Sequence, residues 1–171
     1  MDTRLGSRDP TSATTPDPVN RGLDTDSSPD VVVIGGGPAG AAAARLLALR
    51  GHSVWVLTRR GTSSRDLAES LPPSCGRLFD ALGATEVVAT AGFLAAGGNM
   101  VVWGGREPSS VPFPDGPGWQ VRRGVLAKVL LNLAREAGAF IQDDATVVEV
   151  AVPSLDAPPG ERRSGVDVRY H

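Results

Sequence analysis

A short apolar strand that runs directly into a cluster of glycines limits the fold of this chain more than any other feature. Val31–Ile34 is a continuous run of β-branched residues, which is typical of a strand buried on both faces. Pro38 suits the first position of a helix, and Ala39–Arg50 is rich in the strong helix formers Ala and Leu. Gly51 is a typical helix stop, and Ser53–Leu57 predicts a second strand. The segment therefore predicts a β-α-β unit with parallel strands and a right-handed crossover.

The turn between this strand and this helix contains the pattern G-x-G-x-x-G. The first glycine permits a tight turn, the second lets a pyrophosphate approach the backbone, and the third lets the helix pack closely on the strand. Unpaired N–H groups and the positive helix end would then face the phosphates. The pattern predicts a dinucleotide-binding turn, against the alternative of a glycine-rich turn without a ligand. The predicted cofactor-binding residues of the turn are Gly35, Gly36, Gly37, Pro38, Ala39 and Gly40.

The acidic residue that normally follows such a turn by about 20 positions, and holds the ribose diol, is missing from its expected place. Thr58 stands there, followed by Arg59 and Arg60. A hydroxyl can still bond to the ribose, but the loss of a charged acceptor costs about 1–3 kcal/mol. The two arginines fit a 2′-phosphate, which favours NADP; alternatively, Arg59 stacks on the adenine or reaches the phosphates. A solvated basic turn is the remaining alternative.

The rest of the chain predicts an α/β fold in which antiparallel strands follow a parallel sheet. Gly124–Ala137 has apolar residues at helical spacing, and Ala139–Gln142 predicts a third parallel strand. Thr146–Val152 and Gly165–Tyr170 predict two antiparallel strands. Ser74 is the expected N-cap of a short helix. Weaker signals predict a loop at Thr58–Leu71 and short helical segments at Ser74–Leu82 and Glu86–Ala91. They also predict a strand at Met100–Trp103 and an irregular stretch at Glu107–Gly118.

Length, charge and composition exclude several functional classes. The 171 residues suffice for about one domain, expected over Asp30–His171 after a disordered leader at Met1–Pro29. A net charge of −2 removes the usual electrostatic reason to expect nucleic-acid binding. The chain contains one cysteine, Cys75, and two histidines, so neither a disulfide framework nor a zinc site is expected. The leader lacks the apolar run of a signal peptide and no segment is long enough for a membrane span, which predicts a cytoplasmic protein.

Several segments resemble one known group of flavoproteins. Asp30–Ala48 resembles the N-terminal FAD-binding segment of flavoprotein monooxygenases, geranylgeranyl reductases and tryptophan-halogenase-like enzymes. Ala68–Pro73, Met100–Gly104 and Gly118–Arg123 are similar to segments of the halogenase-like branch. The resemblance implies a Rossmann-like FAD-binding domain, FAD as the cofactor, and a flavin-dependent oxidoreductase that acts on an organic substrate. It also implies that Thr58 takes the ribose position, where the family usually has Glu.

The same resemblance implies roles for further residues. Glu69 and Ser70 would lie near the flavin, Arg123 would contact the cofactor, and the backbone of Val147 would meet the adenine. Ala127 stands where the family has an Asp after that arginine, so this match is incomplete. Each role has a plainer alternative: a loop carboxylate at Glu69, a turn hydroxyl at Ser70, a surface charge at Arg123 and an ordinary strand residue at Val147.

The resemblance finally implies that part of the FAD-binding unit is missing. The second FAD motif of the family, a Gly-Asp pair that holds the ribityl chain, does not follow Val147. We therefore expect an N-terminal piece whose antiparallel meander stops after its second strand and leaves a sheet edge open to pairing with a partner. Two other functions stay open: an NAD(P)-binding module, and a truncated chain without catalytic activity. No catalytic residue and no metal ligand are identified.

Overall fold

Strands and helices alternate around the glycine turn much as its β-α-β pattern predicts. The computed structural model describes residues 3–5, 28–59, 67–105, 107–152 and 165–171 of the chain. Most of the predicted leader, and residues 60–66 of the predicted loop, lie outside these ranges. The elements are β1 (Thr3–Leu5), β2 (Val31–Ile34), α1 (Pro38–Leu49), β3 (Val54–Thr58), β4 (Ala68–Leu71), α2 (Cys75–Ala81), α3 (Thr85–Thr90), β5 (Leu94–Ala96), β6 (Gly98–Val101), β7 (Ser109–Pro112), β8 (Gly118–Arg122), α4 (Arg123–Glu136), β9 (Phe140–Asp143), β10 (Val147–Ala151) and β11 (Asp167–Tyr170).

A three-stranded parallel sheet carries the glycine turn. Its order is β2-β3-β9, with Val31 opposite Val54 and Trp55 opposite Phe140. The apolar residues of β3 are almost completely buried, as expected for the central strand of a parallel sheet. Helix α1 connects β2 to β3, and Gly51 follows it with φ +88. The predicted β-α-β unit, its helix stop and the third parallel strand are confirmed.

The parallel sheet lies between two other layers. Helices α1 and α4 cover one face, where Ala44 and Ala134 are fully buried in a cluster that includes Val56. Their small side chains let the helices approach the sheet closely. On the other face, Leu57 packs with Val168 of the antiparallel sheet β1-β11-β10. The predicted α/β fold, with antiparallel strands after a parallel sheet, is confirmed.

The antiparallel sheet contains one strand that the sequence did not predict. Strands β10 and β11 pair antiparallel, as expected. Thr3–Leu5, within the leader, forms β1 and pairs with the outer side of β11. The edge of β11 that we expected to be open therefore has a partner strand within the chain.

The middle of the chain contains more strand than its pattern predicts. Strand β4 lies within the predicted loop Thr58–Leu71, and β7 lies within the predicted irregular stretch Glu107–Gly118. Strand β6 covers Gly98–Val101 and not Met100–Trp103. The first two predictions are wrong, and the strand predicted at Met100–Trp103 begins two residues earlier than expected. The strands are short and largely exposed, so no buried alternation marks them. Strand β4 is held by pairing with the distant β8, whereas β6 and β7 pair with each other.

Helices α2 and α3 occupy the two predicted helical segments, and Gly83 follows α2 with φ +58. Ser74 is at the N-cap of α2, but it has helical dihedral angles and makes no side-chain capping bond. The turn before the helix is closed instead by the Cys75 N–H, which donates to the carbonyl of Pro72 at 3.0 Å. The capping role predicted for Ser74 is therefore wrong. Within the described residues, no helix combines the length and the apolar character that a membrane crossing requires.

Candidate dinucleotide-binding site

A cavity of about 540 Å³ opens at the carboxyl ends of β2 and β3. Its walls are the glycine turn, the end of β3, the start of α4 and the connection from β9 to β10. Pro38 is the first residue of α1, and Arg123 and Gly124 are the first two of α4, so the first turns of two helices border the cavity. Helix N-termini attract anions, and ligands of parallel α/β sheets bind at this edge. The location favours a phosphate-bearing ligand.

The glycine turn has the backbone geometry of a phosphate-binding turn. Gly35 has φ +104, which L side chains rarely adopt, and its N–H donates to the carbonyl of Leu57 at 2.8 Å. A Cβ built on Gly40 would lie 2.0 Å from the carbonyl oxygen of Gly35, so helix and turn touch. A Cβ on Gly37 would meet no atom within 4 Å, and this residue lines the cavity. The turn predicted at Gly35 and the close packing predicted at Gly40 are confirmed, and the open approach at Gly37 is what a pyrophosphate needs.

Thr58 lies directly against this turn. A Cβ on Gly36 would be 2.8 Å from the Thr58 hydroxyl oxygen and 2.9 Å from the Thr58 Cβ. The carbonyl of Thr58 accepts a hydrogen bond of 3.0 Å from the N–H of Ala145, in the connection between β9 and β10. The end of β3 is therefore fixed on both sides. Thr58 and the exposed Arg59 line the cavity where the sequence predicts a ribose.

A second guanidinium reaches the cavity from α4. Arg123 lines it and donates to the carboxylate of Glu69 on β4 at 3.0 Å. Both side chains are partly exposed, so the pair orients Arg123 more than it stabilises the fold. Ser70, the next residue of β4, makes a different contact: its hydroxyl donates a hydrogen bond of 2.9 Å to the side-chain oxygen of Gln120 on β8. Glu69 thus meets the site through Arg123, and Ser70 belongs to the pairing of β4 with β8.

Most of the predicted site residues lie together around the cavity. Those that line it are Gly35, Gly36, Gly37, Pro38, Thr58, Arg59, Arg123 and Val147. Those that do not line it are Ala39, Gly40, Glu69 and Ser70. The cavity is also lined by residues for which no cofactor contact was predicted: Ile34, Leu57, Leu67, Gly124, Ala127, Ala145 and Thr146. Ala127 follows Arg123 by about one helical turn, a spacing that marks it in retrospect, whereas Ala145 and Thr146 carry no local signal.

The charge of the cavity is positive. Among the described lining residues, the ionisable side chains are those of Arg59 and Arg123, and none is a carboxylate. No cluster of three or more potential metal ligands occurs in the described part of the chain. Two guanidiniums beside two helix N-termini suit the phosphates of a dinucleotide, because charge-assisted hydrogen bonds to phosphate are among the strongest that side chains make.

Several known proteins with similar sequences or folds are described as flavin-dependent. A family model described as an FAD binding domain matches residues 28–152. The chain is 40% identical over 81 residues to tryptophan 2-halogenase of Chondromyces crocatus, a match that covers 47% of this chain and 16% of the halogenase. It is 30% identical over 128 residues to the flavin-dependent halogenase armH3 of Armillaria mellea, covering 72% and 25% of the two chains. The solved structure of the myxobacterial chondrochloren halogenase CndH superimposes with a TM-score of 0.69 at 33% identity, over 82% of this chain and 32% of that one.

The chain spans a quarter or less of the length of these two curated relatives. The matched residues 28–152 include the glycine turn, Thr58, Arg123 and Val147, so the match covers every wall of the cavity. The Rossmann-like fold and the cofactor FAD, which the sequence resemblance implied, are confirmed. With its cavity formed by the matched segments, the chain belongs to the FAD-binding domain family, and its relatives include flavin-dependent halogenases.

Proposed function

We propose that this chain binds FAD in the cavity at the ends of β2 and β3, as part of an oxidoreductase of halogenase or monooxygenase type acting on an organic substrate, either a small molecule or a peptide. The observation that carries the proposal is the open approach to Gly37 at the N-terminus of α1. A pyrophosphate placed there meets backbone N–H groups and the positive end of the helix. Bound flavin supplies the redox chemistry, and the chain supplies binding, orientation and charge.

The glycine turn and the sheet ends divide the nucleotide half of FAD between them. Gly35–Gly40 hold the pyrophosphate, with Ala39 and Gly40 acting through the shape of the turn. Thr58 and Arg59 meet the ribose of the adenosine, and the backbone of Val147 meets the adenine. Support for this assignment comes from the shared cavity, which Thr58, Arg59 and Val147 line together with the turn.

The first turn of α4 serves the part of FAD nearer the flavin. Arg123 donates to a cofactor phosphate, and Glu69 holds the guanidinium in position through their 3.0 Å contact. Ser70, whose hydroxyl bonds to Gln120, maintains the strand that carries Glu69. Because Glu69 and Ser70 do not line the cavity, their roles in this proposal are indirect.

A titration of the purified chain with FAD tests the proposal. We expect saturable binding, read from flavin fluorescence, and a higher unfolding temperature. At an FAD concentration of about 100 times Kd the gain is about 2.7 kcal/mol, or roughly 5–10 °C in a chain of this size. Gly37→Ala places a methyl group where the pyrophosphate approaches, and we expect it to weaken FAD binding about tenfold or more. The matched control is Gly97→Ala, outside the cavity, where an added Cβ also meets no atom within 4 Å. A wild-type chain that folds but binds no FAD would refute the proposal.

Three wider parts of the proposal concern the whole protein. Halogenation is the favoured reaction because the relatives named above are halogenases, and assays of a complete protein with reduced flavin, halide and aromatic substrates test it. A cytoplasmic location is tested by fractionating cells. Association with a partner through the outer edge of β11 requires displacement of Thr3–Leu5 and is tested by deleting residues 1–6 and measuring the oligomeric state.

A further inference from the structure

We infer that the ribose end of this cavity reads a phosphate group, so that the site takes a 2′-phosphorylated adenine dinucleotide of the NADP class in addition to FAD. The inference rests on the proposed function, since it uses the same cavity and the same pyrophosphate position. Its basis is the chemistry of the residues that end β3. Thr58 and Arg59 line the cavity, and none of the described lining residues is a carboxylate.

Hydrogen-bond chemistry separates a ribose diol from a ribose phosphate. Two neighbouring hydroxyl groups donate two protons, and a carboxylate accepts both. A guanidinium has only donors, so Arg59 cannot accept from the diol, but it matches a phosphate with two parallel bonds. In dinucleotide-binding folds an acid at this position suits the 2′-hydroxyl, whereas a nearby arginine accommodates a 2′-phosphate. Thr58 contributes a hydroxyl that can donate to the same phosphate.

The position of Thr58 makes this chemistry specific to the adenosine ribose. The strand end lies against the glycine turn, since a Cβ on Gly36 would be 2.8 Å from the Thr58 hydroxyl oxygen. A nucleotide whose pyrophosphate rests on the turn therefore has its next group, the ribose, beside Thr58 and Arg59. Arg123 enters the cavity from a different element, α4, and pairs with Glu69. The two guanidiniums thus serve different parts of the ligand.

Isothermal titration of the full chain with NADP⁺ and NAD⁺ tests the inference, because these molecules differ only in the 2′-phosphate. We expect NADP⁺ to bind about tenfold or more tightly than NAD⁺. Arg59→Ala should weaken NADP⁺ binding about tenfold or more and NAD⁺ binding much less, so that the preference is lost. Arg77→Ala, an exposed residue of α2 outside the cavity, is the control and should keep the preference. Thr58→Glu should reverse it, because the added carboxylate accepts from the diol and repels the phosphate.

Adenosine 2′,5′-bisphosphate and adenosine 3′,5′-bisphosphate provide a comparison at equal charge. We expect the 2′ isomer to bind more tightly, and equal affinities would show unspecific attraction and overturn the inference. Equal binding of NADP⁺ and NAD⁺, or equal effects of Arg59→Ala and Arg77→Ala, would also overturn it. Circular dichroism spectra establish that each variant folds. If FAD binds without any preference for NADP⁺, only this inference fails; if NADP⁺ is preferred but FAD does not bind, the proposed function fails and only the recognition of the 2′-phosphate stands.

Discussion

Replacement of Gly40 by alanine tests the tightest contact in the site. A Cβ at this position would lie 2.0 Å from the carbonyl oxygen of Gly35 and 3.3 Å from a methyl group of Val33. Relaxed C···O contacts are about 3.3–3.6 Å, so the helix and the turn must separate by more than about 1 Å. The obstacle is backbone, which cannot rotate away as a flexible side chain can. We therefore expect the substitution to distort the turn and to lower stability.

The size of the loss follows from two opposing effects. Overpacking costs about 1–3 kcal/mol, and the rigid backbone obstacle puts this site near the upper end. Alanine is favoured over glycine in a helix by about 1 kcal/mol, which offsets part of the loss. The net expectation is a free energy of unfolding lower by about 2 kcal/mol, or a melting temperature lower by roughly 4–8 °C in a chain of this length.

Thermal unfolding followed by circular dichroism, without FAD, measures this loss. Gly37→Ala is the control, because its Cβ meets nothing within 4 Å and its φ of −70 suits alanine. Alanine is a less favourable N-cap than glycine, which costs about 1 kcal/mol of stability. Alanine also restricts the unfolded chain, which returns about 0.4–1 kcal/mol, so the melting temperature of this variant should stay near that of the wild type. If Gly40→Ala and the wild type had the same melting temperature, the close packing of the helix on the turn would not require glycine at this position.

Three further predictions concern two arginines and the acidic partner of one of them. Arg45 of α1 donates hydrogen bonds of 2.5 Å to the carbonyls of Leu82 and Leu133, near the ends of α2 and α4. Arg45→Met should lower the free energy of unfolding in urea by about 2–3 kcal/mol, and an effect no larger than that of the exposed Arg50→Met would contradict this role. Arg123→Ala should weaken FAD binding about tenfold. Glu69→Gln, which breaks the exposed pair, should change the free energy of unfolding by less than about 1 kcal/mol, and a larger change would mean that the pair stabilises the fold.

The parallel sheet and its helices could be predicted because their signals are local. Val31–Ile34 is apolar throughout, α1 begins at Pro38 and ends shortly before Gly51, and α4 repeats its apolar residues with a helical period. Strands such as Ser109–Pro112 give no such signal, since all four residues are exposed and one is proline. That strand is held by pairing with β6, and β4 is held by pairing with the distant β8; the apolar pattern within each strand does not record these partners.

The same distinction separates the two halves of the site. The glycine turn and Thr58 follow from one motif and its usual spacing. The approach of Arg123 to Glu69 joins residues 54 positions apart, and family resemblance rather than pattern marked both of them. Ala145 and Thr146 line the cavity because they lie in the connection that leads from β9 of the parallel sheet to β10 of the antiparallel sheet. A local motif predicts the glycine turn, and the fold supplies the other walls of the cavity.

Gly36 occupies a variable position of the glycine motif, yet the structure gives it a strict requirement. A Cβ there would lie 2.9 Å from the Cβ of Thr58, an atom that every residue except glycine possesses. Gly36 is therefore needed whatever side chain ends β3, and exchange of that side chain leaves the contact at the Cβ unchanged. We therefore expect Thr58→Glu to change which ribose group is recognised while leaving in place the turn that we propose holds the pyrophosphate. The proposed ribose recognition and phosphate binding would then be adjacent in this site but separable by mutation.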